Sequence, residues 1–502
     1  MNAAAQSSAV EFGDIQGLLR FAYKHHTEAR FLLLRVTNPA AARRWLAQVP
    51  VADAVSQEPA SLAKTLVQVA LTYPGMLALG VPEEIAGGFS EEFVRGMSGD
   101  ANRSRRLGDL GSNDPAQWHW GNRDRIPHLA VLLYAMPGLL EAWSREVEAG
   151  YAAGFELLAA LSTSDMGGVE PFGFVDGISQ PQPDWERHRK PRDETQLDYT
   201  NLSCLGEFLL GYPNEYGLYT PRPLLDPGRD PHRVLPAAED VPGLRDLGRN
   251  GSYLVLRQLR QDVAGFWQAL DRYARGHSDT RVQLAQALVG RTLYGESLVG
   301  MPYEKIRGNE GPQAALNAFT YGNDPQGTRC PLGAHVRRTN PRNADLPAGK
   351  KNLLSRLWRM LGLNAAARSQ DLVASTRFHR LLRRGREYGV RMPLEQALTA
   401  GPGSPESGLQ FLCLGANIER QFEFVQNAWV ASAKFDGLGC VGDPLLGNRQ
   451  AGLGNGATDV FTIPQPDGPA CRLERLPQFI TVLGGGYFFM PGIRALRFLA
   501  RS

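Results

Sequence analysis

The sequence lacks the features that mark several large classes of protein. Its net charge is only +3, from 54 Lys and Arg against 51 Asp and Glu, so it lacks the strong positive charge that is typical of nucleic-acid-binding proteins. No apolar run approaches the roughly 20 residues that a membrane-spanning helix needs. We therefore expect neither a nucleic-acid partner nor a membrane partner.

Cysteine is scarce, and its spacing excludes several kinds of site. The five cysteines lie far apart and form no Cys-x-x-Cys pair, which is the spacing of structural zinc sites and, with a following histidine, of covalently attached haem. The N-terminus lacks the basic start and apolar segment of a secretory signal. From these absences we expect a cytoplasmic protein with reduced cysteines.

Nucleotide-binding motifs are missing or incomplete. The sequence contains neither G-x-x-x-x-G-K-[ST] nor H-E-x-x-H. Residues Gly437 to Gly442 match G-x-G-x-x-G, but the following Asp443-Pro444-Leu445-Leu446 is not typical of a helix that could bind a pyrophosphate at its N-terminus. The match favours an ordinary glycine-rich turn.

What is present is a long chain with many turns. The 502 residues are enough for two or three domains, and 55 glycines and 34 prolines indicate long ordered loops. Two stretches, 184–246 and 308–350, are especially rich in turn-forming residues. Ordered loops of this length often carry binding or catalytic residues.

Two pairs of segments are similar to each other. Residues 29–48 (ARFLLLRVTNPAAARRWLAQ) align without gaps with 251–270 (GSYLVLRQLRQDVAGFWQAL), and each begins as a strand and continues with helical spacing. Residues 128–136 and 408–416 form a second pair of apolar strands. We therefore predict an α+β fold of two ferredoxin-like modules, residues 1–245 and 246–502, each an antiparallel sheet backed by helices.

One candidate catalytic residue lies in a glycine-rich segment. The sequence from Glu170 to Pro181, EPFGFVDGISQP, places Asp176 among aromatic and glycine residues. A simple hairpin turn would explain it. Alternatively, Gly173 and Gly177 let the backbone approach a flat ligand closely, and the apolar neighbours tune the proton affinity of a catalytic Asp176.

A single histidine lies between an apolar and a basic stretch. In CPLGAHVRRTNPR, residues 330–342, His335 precedes arginines 337 and 338. A lone histidine is usually an ordinary core or surface residue. It would also suit an iron porphyrin, whose anionic propionates the arginines could bind.

In combination these segments resemble one enzyme family. Gly173 to Gly177 (GFVDG), residues 333–342 (GAHVRRTNPR) and residues 383–385 (RRG) occur in the order of the motifs of dye-decolorizing peroxidases. Further matches include Gly13 to Gly17, Asn417 to Phe424 and Gly484 to Pro491, so the resemblance spans most of the chain. It implies two ferredoxin-like modules in a dimeric-barrel-like arrangement with extended loops.

The resemblance also implies a function. The chain would bind one non-covalent haem b with His335 as the axial ligand of the iron, and Asp176 and Arg383 would act on hydrogen peroxide. A ferryl intermediate would then oxidise dyes, phenols or other one-electron donors, and an oligomer would be compatible with this activity. An acid–base aspartate favours acidic conditions, since an unperturbed aspartate titrates near ~3.9.

The resemblance suggests further site residues. Arg337 would bind a propionate, Leu412 and Leu414 would line the pocket, and Asn417 would accept the N–H of His335. Two alternatives remain open. One is a haem-handling protein without physiological peroxidase turnover, and the other is a haem-free interaction protein.

Overall fold

The internal similarity predicts that each half begins with a strand and a helix, and this is confirmed. The computed structural model describes residues 9–56, 62–189, 201–276, 279–299, 316–317, 319–342, 375–401, 403–449 and 458–501. Parts of the two predicted turn-rich stretches therefore lie outside the described residues.

The described residues form fifteen strands: β1 (Glu28–Val36), β2 (Thr65–Leu71), β3 (Leu129–Ala135), β4 (Phe155–Ser162), β5 (Gln182–Pro183), β6 (Leu202–Ser203), β7 (Leu224–Leu225), β8 (Arg245–Asp246), β9 (Ser252–Gln261), β10 (Leu382–Arg383), β11 (Arg386–Gly389), β12 (Ser407–Gly415), β13 (Phe461–Ile463), β14 (Cys471–Leu473) and β15 (Ile480–Met490).

The α-helices of the described residues are Pro39–Gln48, Tyr73–Ala78, Glu83–Ala86, Glu91–Arg95, Ala101–Leu107, Leu140–Tyr151, Val263–Ala274, Arg281–Val289, His335–Thr339, Leu394–Thr399 and Ile493–Leu499. Glu419–Glu423 and Val425–Ala431 are π-helical. The two helices that follow the first strand of each half begin after side-chain N-caps, Asn38 and Asp262, which accept backbone N–H groups. None of the described helices combines the length and apolar composition needed to cross a lipid bilayer.

Nine strands form one antiparallel sheet with the same topology in each half. The order is β10-β12-β9-β15-β2-β3-β1-β4, with β11 also paired to β12. The first half has the order β2-β3-β1-β4, and the second half has the corresponding order β10-β12-β9-β15. In each half the strands therefore lie in the order second, third, first, fourth, which is a ferredoxin-like arrangement. The α+β prediction is confirmed, and the boundary at residue 245 stays a prediction.

The sheet closes on itself like a barrel. The two halves join where Phe489 of β15 pairs with Leu71 of β2. The two outer edges of the sheet also meet. Ser164, just after β4, donates its backbone N–H to the carbonyl oxygen of Glu387 on β11 at 2.8 Å. Closure removes exposed strand edges, and it gives the sheet an inner and an outer face.

Both faces of the sheet are packed. The inner face forms a core that includes Phe31, Leu254, Leu256, Leu412 and Phe488. The outer face packs against the helices, and Trp267 of the helix Val263–Ala274 belongs to that larger core. Because side chains alternate along a strand, the long strands β9, β12 and β15 contribute to both cores.

Candidate active site

A large cavity lies between the outer face of β9, β12 and β15 and the loops that cover it. It holds about 1900 Å³ of empty space, part of it open to solvent. Its apolar wall includes Leu107, Phe172, Phe174, Leu259, Val289, Leu409, Phe411, Phe422, Trp429, Leu445, Ile480 and Val482. His335, Asp176 and Arg383 line the same cavity, so the structure brings together the three residues that the motifs predict.

His335 is held by a buried carboxylate. It is the first residue of the helix His335–Thr339, and its Nδ1 lies 2.9 Å from Oδ2 of Asp443. Oδ1 of Asp443 accepts the backbone N–H groups of Leu445 and Leu446, both at 2.9 Å. A carboxylate only accepts hydrogen bonds, so this contact fixes the proton on Nδ1 and leaves Nε2 of the neutral imidazole with its lone pair free to bind a metal.

Asp443 is ionised despite its burial. The loss of solvent would raise its pKa, but the hydrogen bond from His335, the charge of nearby Arg338 and the backbone N–H of Leu446 hold the pKa well below its ordinary value. Arg338 is itself fixed, because its guanidinium donates to the carbonyl oxygens of Trp429 and Val441, each at 2.8 Å. The imidazole therefore faces a permanent negative charge, which makes it a stronger electron donor to a bound metal.

The prediction that Asn417 accepts the N–H of His335 is wrong. Oδ1 of Asn417 accepts the backbone N–H of Arg420 at 2.7 Å, and its backbone N–H donates to Oε1 of Gln421 at 2.9 Å. Asn417 therefore caps the π-helical turn Glu419–Glu423. The residue that holds His335 is Asp443, which directly follows the glycine-rich match at 437–442 that we interpreted as an ordinary turn.

Asp176 and Arg383 form an ion pair in the cavity. Nη1 of Arg383 donates to Oδ1 of Asp176 at 3.1 Å, and both side chains are only partly shielded by protein. The backbone N–H of Arg383 donates to Oε1 of Gln180 at 3.0 Å. Partial loss of solvent in the cavity would raise the pKa of Asp176, but the charge of Arg383 and the backbone N–H of Gly177 outweigh it, so the pKa lies below its ordinary value. An ionised carboxylate and a cation are therefore in direct contact in the cavity.

Gly173 and Gly177 shape the turn that carries Asp176. Their φ angles are 103° and 76°, a region that side chains with a Cβ rarely adopt. No heavy atom lies within 4 Å of the place where either Cβ would be. Backbone conformation therefore explains both glycines, and their contact with a cofactor stays a prediction.

The prediction that Arg337 binds a propionate is wrong. Arg337 is buried away from the cavity, where its Nη1 donates to Oδ2 of Asp324 at 3.1 Å and to the carbonyl oxygen of Cys330 at 2.8 Å. A cavity-lining arginine that the sequence did not suggest is Arg291. It donates to the hydroxyl of Ser179 and to the carbonyl oxygen of Gly295.

The prediction that Leu412 and Leu414 line the pocket is also wrong. Both are completely buried in the core inside the barrel. Side chains of β12 alternate between faces, and the residues that reach the cavity are Leu409 and Phe411. The prediction identified the correct strand and the wrong face.

Known proteins resemble this chain over most of its length. No protein-family model matches the chain. A multifunctional dye peroxidase from Amycolatopsis sp. is 30% identical over 412 residues, which cover 77% of this chain and 74% of that relative. A dye-decolorizing peroxidase from Auricularia auricula-judae is 26% identical over 531 residues, covering 98% of this chain and 88% of that protein.

Solved structures match over nearly the whole length. The crystal structure of a fungal DyP-type peroxidase from Auricularia auricula-judae superposes with a TM-score of 0.72 at 23% identity, covering 99% of this chain and 100% of that one. A dye-decolorizing peroxidase solved in complex with 2,6-dimethoxyphenol has a TM-score of 0.71 at 22% identity, covering 98% and 100%. These matches show the fold.

The two faces of β12 give a matched pair of substitutions. Leu412→Ala should lower the free energy of unfolding by about 2–5 kcal/mol, because it leaves a void in a packed core, and should not change the absorbance spectrum of bound haem. Phe411→Ala should change that spectrum, because it alters the cavity wall. Denaturant unfolding and absorbance spectra of both variants test this, and a spectral change confined to Leu412→Ala would contradict the assignment of faces.

Asp443 and Asn417 give a second matched pair. Asp443→Asn removes the charge behind His335, so haem should bind about 10–100-fold more weakly, and the reduction potential of the iron should rise. Asn417→Ala should change neither property. Haem titration and spectroelectrochemistry measure both, and equal effects of the two substitutions would show that Asp443 does not control the imidazole.

Proposed function

This chain belongs to the dye-decolorizing peroxidase family, and on that basis we propose that it binds one non-covalent haem b through His335 and activates hydrogen peroxide with Asp176 and Arg383. Peroxidases of this family are haem enzymes that oxidise dyes and phenols at the expense of peroxide. The observation that carries the residue assignment is that an imidazole held by Asp443 and the Asp176–Arg383 ion pair line one cavity.

The residues present fit a haem. Asp443 binds Nδ1 of His335, so Nε2 would hold the iron, and the apolar wall of the cavity would accommodate the porphyrin. Arg291 also lines the cavity, where it contacts the Ser179 hydroxyl and the Gly295 carbonyl oxygen. It forms no ion pair with any of the described residues, so its charge would be available to a propionate. When bound, haem supplies the iron that accepts oxygen from peroxide and returns oxidising equivalents to a reducing substrate.

The chain's own residues move the proton of the peroxide. The ionised carboxylate of Asp176 accepts a proton from one peroxide oxygen and returns it to the other, which can then leave as water. Arg383 stays protonated and stabilises the negative charge that develops as the oxygen–oxygen bond breaks. Their ion pair keeps the base deprotonated and the cation aligned with it before peroxide arrives.

The geometry favours a peroxidase over a haem-handling protein. Storage or delivery of haem requires an axial ligand and an apolar cavity, but it has no need for a carboxylate paired with a guanidinium in the same cavity. The lowered pKa of Asp176, caused by Arg383 acting against the effect of burial, keeps a base available in acid. Reducing substrates of the proposed enzyme are dyes and phenols such as 2,6-dimethoxyphenol.

Rapid mixing with peroxide tests the proposed function. The purified protein with haem should change its absorbance within milliseconds to seconds and should need one equivalent of hydrogen peroxide per haem. A dye or 2,6-dimethoxyphenol should then restore the original spectrum. His335→Ala should lose the haem band of the wild type. A protein that binds haem through His335 but shows no stoichiometric reaction with peroxide would favour haem handling.

The pH dependence of the peroxide reaction tests Asp176. Asp176 acts as a base only when it is ionised, and its pKa is lowered. The rate should therefore persist through mildly acidic pH and be lost only as the pH falls below the ordinary aspartate pKa of ~3.9. Asp176→Asn should slow the reaction by about 10²–10⁴-fold and remove this acid limb. Stopped-flow rates between about pH 3 and 5 measure both effects. Fast reaction above neutrality that survives Asp176→Asn would overturn the assignment.

A further inference from the structure

A second carboxyl group closes the turn that carries Asp176. Oε1 of Glu170 accepts the backbone N–H of Phe174 at 3.0 Å, and Oε2 accepts that of Phe172 at 3.1 Å. Its backbone N–H donates to the carbonyl oxygen of Phe174 at 2.8 Å. Glu170 also lines the cavity. The side chain of Glu170 therefore helps to hold the turn that ends two residues before Asp176.

Strand β9 supplies the other partner of Glu170. Nε2 of Gln261 donates to Oε2 of Glu170 at 2.7 Å. Among the described residues, Oε1 of Gln261 is buried without a hydrogen-bond partner. An unsatisfied buried acceptor beside a carboxyl group is costly unless a proton is shared. If Glu170 is protonated and the amide is turned over, Glu170 can donate to Oε1, so Gln261 can form a hydrogen bond with Glu170 in either protonation state.

The charges around Glu170 favour its neutral form. Burial raises its pKa to about 7, and nearby Asp176 adds to the increase, although the N–H groups of Phe174, Gln261 and Phe172 oppose it. Arg383 on β10 lines the same cavity but is already paired with Asp176. From other elements, Glu387 on β11 interacts with Asp176, and Arg257 on β9 lines the cavity but pairs with Asp109.

We propose that Glu170 is a positioning residue. When Glu170 gains or loses its proton, the amide of Gln261 turns over, and the turn that carries Asp176 changes between two hydrogen-bonded states. The proposal rests on the proposed function of Asp176. In the neutral state, Asp176 is the single negative charge of the turn. In the ionised state, a second negative charge opposes the charge that develops on peroxide, so peroxide activation slows as Glu170 loses its proton.

Infrared spectroscopy of the protein with haem tests the proton directly. Glu207 is also buried, and its pKa is likewise raised to about 7, so the signal of Glu170 is read as the difference between the wild type and Glu170→Gln. That difference should contain a protonated-carboxyl band that disappears with a midpoint near the pKa of about 7. Glu387→Gln is the matched control, since Glu387 also has a raised pKa but does not line the cavity, and it should keep the band. An infrared titration of Glu170→Gln that is identical to that of the wild type in both amplitude and midpoint would overturn the proposal.

Stopped-flow rates with peroxide test the switch. Between pH 6 and 8 the wild-type rate should fall by roughly 3–10-fold, the size expected of one nearby charge, and the rate of Glu170→Gln should be constant over that range. A rate of Glu170→Gln that falls like the wild type would contradict the proposal. Asp176→Asn should react slowly yet keep the infrared titration, so failure of the proposed function of Asp176 is distinguishable from failure of the switch.

Gln261→Met provides a variant that leaves both carboxyl groups in place. It removes the hydrogen bond of Gln261 to both forms of Glu170. The bond to the ionised form is the stronger of the two, so the infrared midpoint should move upward by about one pH unit. An unchanged midpoint would show that Gln261 does not hold the proton of Glu170, and the proposal would fall even if Glu170→Gln did not fold.

Discussion

The cavity depends on a carboxylate that is completely removed from water. Asp443 is 0% exposed, and such a charge is tolerated only when every lone pair is used and a cation or donor lies close. Its two oxygens bind the N–H groups of Leu445 and Leu446 and the Nδ1 of His335. Because those bonds come from a loop and from a distant helix, the same interaction fixes the loop on the helix and decides which nitrogen of His335 can bind a metal.

Much of the fold could be predicted because the sequence repeats itself. Residues 29–48 and 251–270 each form a strand followed by a helix, and the segments near 128 and 408 form the third strand of each half. Local hydrophobic patterns determine such elements. The closure of the sheet, by contrast, depends on a contact between Ser164 and Glu387, and no local pattern indicates a contact over that separation.

The site could be predicted in part, and for different physical reasons. Asp176, His335 and Arg383 lie in compact motifs, and the structure places them in one cavity. Leu412 was assigned to the wrong face because β12 is apolar on both sides, so its sequence shows no alternation. Asp443 is 108 residues from His335. A partner at that distance can be inferred only from the folded chain.

Two carboxyl groups of one short segment have pKa values shifted in opposite directions. Asp176 contacts the guanidinium of Arg383, and its pKa is lowered, whereas Glu170 receives only N–H dipoles, and burial raises its pKa to about 7. The type of residue does not determine this division, since both are carboxylic acids with similar intrinsic proton affinities. The position of one cation determines it, because a full charge offsets the cost of burial more completely than hydrogen bonds do. Arg383 therefore stabilises developing charge and also selects which carboxylate is the base in acid.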